Sequence, residues 1–230
     1  MNETLYQALT LIIPLVIAIV FHEVAHGYVA RLLGDPTAHR AGRLTLNPLK
    51  HVDPFGTVIL PGLLALAKAP IFGWAKPVPV NQMRLRHPRS GMMLVAAAGP
   101  GSNLVLALVG AVVLGLLAKG ITEAPLQGSV LQFAILNASN FIQINIFLAL
   151  FNLIPIPPFD GSHIVEGLLP RELAEKYADL RRFGLPLMIL LLLVLPSLIP
   201  GFDVVGRFIV PPVEWLTGHY LAIAAAVAGG

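Results

Sequence analysis

The sequence predicts an all-α polytopic membrane protein. It would have about five to six transmembrane helices, with a re-entrant or short membrane-edge β segment between the first two long spans. Three observations carry this. Of 230 residues, 56% are hydrophobic and only 12% charged, whereas soluble domains average roughly 25% charged. The apolar residues gather into runs approaching the roughly 20 needed to cross a bilayer. The stretches between the runs are polar and basic, as loops on one face of a membrane are. The net charge of +3 raises the possibility of nucleic acid, but the apolar runs leave little room for a basic face. No nucleic-acid partner is expected, and the lipid bilayer is. The length suits one transmembrane domain over 1–230. The absence of cysteine excludes disulfides and a thiolate metal site.

The first apolar segment runs from about Leu5 to Leu33 and is uncharged from Ala8 to Val20. Pro14 should kink it, which membrane helices tolerate. It reaches spanning length only by continuing through His22 and His26. Met1-Asn2-Glu3-Thr4 lacks the basic residues of a signal peptide, so this segment is expected to be a mature span. Gly34-Asp35-Pro36 ends it. Phe55 to Ala67 is apolar but short, with Pro61-Gly62 in its middle, and suits a re-entrant or buried segment. Residues 73–81 read GWAKPVPVN; prolines at 77 and 79 favour extended backbone over helix. A second long span, Gly91 to Leu117, carries GPGSN at 99–103, and a third runs from about Val130 to Ile154. Leu185 begins a fourth, ended by Pro196 and Pro200. The last stretch, Val204 to Val227, is interrupted by Pro211-Pro212, Glu214 and His219. The catalytic core is expected at about 5–170 and C-terminal helices at about 183–228.

His22-Glu23-Val24-Ala25-His26 is an HExxH motif on a helix. Residues four apart lie about 40° apart around a helix, so both imidazoles can reach one metal ion. Glu23 beside them is placed to take a proton from the attacking water. Zinc suits nitrogen ligands and an open position for water. With 7 histidines in the chain, chance gives only about 0.006 such motifs. The plainer alternative is that His22 and His26 are helix-end residues snorkelling to the interface. A third ligand is required. The candidates are Asp160, His163 and Glu166, all just after the third span, and spacing alone leaves all three open. An Asp-Gly pair by itself is most simply a turn.

HExxH in the first span, GPGSN in a later one and NLIPIPPFDG (Asn152 to Gly161) after the next occur in this order. Together with GWAKPVPVN they resemble the site-2 protease family of intramembrane metalloproteases, in its compact branch without a PDZ domain, over residues from about 15 to 170. The resemblance implies one zinc ion per chain held by His22, His26 and Asp160, with Glu23 activating water. It implies membrane-spanning protein substrates, cut to release signalling factors. It also favours a substrate-binding or supporting role for Asn103 and Asn152, for which hydrogen bonding between helices is the plain alternative. Gly99, Gly101 and Ser102 most simply permit close helix approach. His39, His51, His87 and His219 read as loop or interface residues.

A metal transporter would account for buried histidines but has no need of a general base. An inactive relative should lack a catalytic residue, and none is missing. Thirteen of the 15 Lys and Arg residues fall in three stretches: 31–54, 68–90 and 156–182. Their clustering predicts a multi-pass protein of the cell membrane, N-terminus outside and active site toward the cytoplasmic face.

Overall fold

A computed structural model describes residues 3–66, 73–121, 125–199 and 201–230. Met1, Asn2, Ala67, Lys68, Pro200 and residues 122–124 of the expected outer loop lie outside the described residues. The helices are α1 (Glu3–Leu32), α2 (Thr37–Arg40), α3 (Leu60–Leu66), α4 (Pro88–Ala118), α5 (Val130–Asn152), α6 (Asp160–Leu168), α7 (Arg171–Ala178), α8 (Gly184–Ile189), α9 (Leu195–Leu198) and α10 (Val210–Ala228). The described residues contain no strand.

Among the described residues three helices, α1, α4 and α5, are long and apolar enough to cross a membrane. They expose large apolar side chains, among them Leu11 and Ile12 of α1, Val105 and Leu116 of α4, and Leu131 of α5. Such a surface suits lipid rather than water. Three is fewer than the five to six expected, and the sequence shows why. Residues 184–198 divide into α8, a π-helical turn at Leu190–Val194 and α9, whose second residue is Pro196. Helix α10 carries Pro211, Pro212, Glu214 and His219, which dilute its apolar half. The short apolar stretch Pro54–Leu66 opens with a π-helical turn capped by the Asp53 carboxylate, which accepts from the amides of Phe55 and Gly56.

The expected β segment at 73–81 is not a strand. Pro77 and Pro79 have no N–H for a ladder. The amides of Trp74, Lys76, Val78 and Asn81 go elsewhere: to the Gly56 carbonyl at 3.1 Å, the His51 carbonyl at 2.9 Å, the Glu23 carboxylate at 2.7 Å and the Asp35 carboxylate at 2.6 Å.

The chain divides into two compact units. One comprises Met1–Ala18, Pro100–Asn152 and Val205–Gly230. Its core is Ala107, Ala111, Leu114, Ala138, Ile142, Ile146 and Ala224; small residues on α4, α5 and α10 let the helices approach closely. The other comprises Ile19–Gly99 and Leu153–Val204, with Ala30, Leu85 and Val95 buried at its centre. This second unit holds HExxH, the 73–81 segment and the Asp160 turn.

Candidate metal centre

His22 and His26 project from the same face of α1, one turn apart. Their rings meet nearly at right angles, and their Nε2 atoms are 3.0 Å apart. His26 Nδ1 lies 2.7 Å from the Val95 carbonyl oxygen on α4. A carbonyl only accepts, so Nδ1 carries the proton and Nε2 keeps its lone pair free for a metal. Asp160 Oδ2 completes a triangle, 3.2 Å from His22 Nε2 and 3.3 Å from His26 Nε2. Ligands at roughly 2.0–2.1 Å from a tetrahedral zinc stand about 3.3 Å from one another, so the donor set and its spacing fit that ion. The three form a group able to hold a metal, with His22 only 7% exposed.

Two glycines make the triangle possible. A Cβ on Gly99 of α4 would collide with the imidazole of His26 and come within 2.6 Å of His22 Cε1. Gly101, in contrast, has open space where its Cβ would be, so the close approach belongs to Gly99. Gly161 packs against the carbonyls of Leu153 and Ile154 with no room for a Cβ. Asp160 is therefore not in a free Asp-Gly turn but is the first residue of α6, whose start lies against the carbonyls of Leu153 and Ile154. Ser162 secures that start, its hydroxyl donating to the Phe159 carbonyl at 2.7 Å.

Glu23 Oε2 accepts from the Val78 amide of the 73–81 segment at 2.7 Å. Glu166 is engaged by Arg181 in an ion pair, and its backbone carbonyl accepts from Arg89 at 2.9 and 3.1 Å. His163 Nδ1 lies 3.8 Å from that same carboxylate. Neither joins the metal-ligand group. Burial, then the charge of Arg181, lowers the His163 pKa to about 4, although Asp160 opposes the shift.

Asn103 and Asn152 belong to the other unit. Asn103 is fully buried, and its Nδ2 donates to Asn145 Oδ1 at 2.8 Å and to the Ala18 carbonyl at 3.2 Å. Asn152 Nδ2 donates to Leu148 of its own helix at 2.9 Å. His51, expected in a loop or at an interface, is 3% exposed, with Nε2 at 2.9 Å from the Thr45 carbonyl. Asp35, Arg43 and His51 are among the buried polar residues whose burial the sequence reading missed. A polar loop composition hid them, and Asp35 in particular had the plain appearance of a helix stop.

The family model of peptidase family M50 matches residues 10–142 and 120–195. The chain belongs to peptidase family M50. This membership bears out the resemblance to site-2 proteases read from the motifs. With its apolar helices, it makes the chain a multi-pass membrane protein. Among curated relatives of this M50 chain is "Putative zinc metalloprotease YwhC" of Bacillus subtilis, 43% identical over 202 residues, which are 85% of this chain and 87% of that one. "Putative zinc metalloprotease Rip2" of Mycolicibacterium smegmatis is 32% identical over 179 residues, covering 77% of this chain and 63% of the relative. Rip2 of Mycobacterium tuberculosis strain H37Rv is 30% identical over 217 residues, 92% and 76% respectively. No solved structure matches the chain.

Proposed function

We propose that this M50 protein is an intramembrane zinc metalloendopeptidase of the HExxH type, hydrolysing peptide bonds of membrane-spanning proteins. The observation that carries the proposal is the triangle of His22 Nε2, His26 Nε2 and Asp160 Oδ2 at 3.0–3.3 Å, with Glu23 next to His22 on the same helix. Two imidazoles and one carboxylate would hold one zinc ion per chain and leave a position open. When bound, zinc supplies the Lewis acidity that polarises the scissile carbonyl and acidifies water.

The remaining steps fall to the chain's own residues. Val95 fixes the tautomer and orientation of His26. Gly99 and Gly161 leave the room in which His22, His26 and Asp160 converge. Glu23, one oxygen held by Val78, receives the proton of the attacking water on the other and passes it to the leaving amine. A helical substrate must be locally unwound before its carbonyl is exposed. Asn103 would support the fold of the spans through Asn145, which the 2.8 Å bond favours over substrate contact. Asn152 would secure the end of α5, just before the turn that presents Asp160. The zinc-metalloprotease names of the relatives agree with this reading. The substrates would be single-span proteins, cut in regulated proteolysis at the cytoplasmic side.

Replacing Glu23 with Gln tests the chemistry separately from the metal. The variant keeps the side chain's shape and removes the base. Zinc should remain at about one per chain while proteolysis falls at least 100-fold. Turnover near that of the unaltered protein would assign water activation to another residue. The same variant should accumulate membrane proteins bound but uncut, which can then be identified by mass spectrometry.

A further inference from the structure

Between residues 76 and 80 the sequence alternates proline with valine, so among residues 77–79 only Val78 possesses a backbone N–H. Pro77 and Pro79 have none to offer. That single amide lies 2.7 Å from Glu23 Oε2. The segment is pinned on both sides of it. On one side the Lys76 amide donates to the His51 carbonyl at 2.9 Å, and the Lys76 carbonyl accepts from Arg43 Nη2 at 2.8 Å. On the other the Asn81 amide donates to Asp35 Oδ2 at 2.6 Å. Asp35, Arg43 and His51 are all buried, so these anchors are shielded from competing water. The Val78 side chain is buried too. Its Cγ1 occupies the space that a Cβ on Gly27 would need, one turn beyond Glu23 on α1. Val78 is thus held both along its own segment and against the helix that carries Glu23.

We infer that the backbone amide of Val78 is a positioning group for peptide hydrolysis, holding the Glu23 carboxylate by Oε2 so that Oε1 faces the attacking water. This rests on the reading of Glu23 as the base. A glutamate carboxylate sits at the end of a side chain with several rotatable bonds, each with alternative wells. A general base works only from hydrogen-bonding reach of the proton it takes. One fixed donor on one oxygen selects among those wells and leaves the second oxygen for the reaction. The flanking prolines ensure that no adjacent amide competes for the same carboxylate.

The test uses full-length, zinc-loaded protein with β-casein as the probe. Val78→Pro removes the N–H at similar side-chain volume. Val78→Ala keeps the N–H and loses volume. A backbone ester at position 78, made by incorporating the hydroxy acid analogue of valine, replaces the N–H with oxygen and keeps the side chain. The expected result is that Val78→Pro and the ester lower kcat about 10- to 100-fold relative to Val78→Ala, a loss on the scale of a misplaced catalytic group. KM should stay within about twofold and zinc at one per chain. A merely structural role would instead move stability or zinc content, with Val78→Ala affected as much as the others. Should Val78→Pro lose zinc through misfolding, the ester decides. An ester variant with kcat within about twofold of the unaltered protein, while Glu23→Gln is inactive, overturns the positioning role and leaves the base assignment standing. Activity in Glu23→Gln overturns both.

Discussion

Gly99 faces two imidazoles across a gap too small for a methyl group, so the space beside it is set by His22 and His26 rather than by helix geometry. Gly99→Ala should displace His26 and His22 and weaken zinc binding by about tenfold or more, on the scale of disturbed ligand support. Gly101→Ala, with open space around it, should leave zinc content unchanged; elemental analysis of the two purified variants checks the contrast. At the third ligand, Asp160→Ala should strip zinc. His163→Ala and Glu166→Ala should retain it, although the second leaves Arg181 without its partner. Zinc lost from His163→Ala and kept in Asp160→Ala would reassign the ligand. Spacing of four on one helix is a local property, which is why the sequence alone could bring forward His22, Glu23 and His26 as candidates. Asp160 stands 134 residues beyond His26, and only the resemblance singled it out from His163 and Glu166. The closeness of Gly99 to another helix was legible too. That the neighbours would be these two histidines was not, because a missing Cβ says nothing about what fills its place.

The 73–81 segment shows the same limit at the level of an element. Alternate prolines gave its extended character, but a strand needs a partner, and proline spacing cannot say where the remaining amides go. They go to two carboxylates and to the carbonyls of His51 and Gly56, one carboxylate being that of Asp35, 46 residues from Asn81. Asp35 accepts from the Asn81 amide, the Thr37 amide and the Thr37 hydroxyl. Asp35→Ala would remove the buried acceptor that these three donors share and should destabilise the protein by about 1–3 kcal/mol, measured by denaturant unfolding in detergent. Burial alone would raise the Asp35 pKa. The Thr37 hydroxyl, then the backbone amides of Asn81 and Thr37 and the charge of Arg84, reverse that and hold it below the ordinary value. A carboxylate depressed on folding contributes fully above its unfolded pKa, near about 4, and loses that contribution as pH falls through its folded value. The melting temperature should therefore fall more steeply below about pH 4 in the unaltered protein than in Asp35→Asn. Equal slopes would place the acid-sensitive contact elsewhere.

For the whole molecule, the long uncharged runs were legible because lipid demands them, and α1, α4 and α5 lie where those runs are. The additional spans were over-read from shorter apolar stretches that prolines, Glu214 and His219 break up. Three crossings nevertheless yield a definite expectation for the side on which the site opens. If α1, α4 and α5 each cross and Pro54–Leu66 does not, the C-terminal end of α1 and the C-terminal end of α5 emerge on the same face. His22 and His26 lie near the first of these ends, and Asp160 follows the second. That face also receives Arg31 to Arg89 and Arg171 to Arg182, thirteen of the 15 basic residues. The short loop holding Lys119 falls on the opposite face. Basic loops stay in the cytoplasm, so the metal centre should open to the cytoplasmic side, with the N-terminus outside. Charge distribution and metal geometry use different residues, and each could have contradicted the other. Single-cysteine labelling is clean in a chain with no cysteine of its own. In intact cells, a membrane-impermeant maleimide should modify Lys119→Cys and spare Thr45→Cys and Arg86→Cys until the membrane is opened. Reaction of position 45 or 86 from the outer side alone would reverse the orientation, and with it the route by which water reaches Glu23.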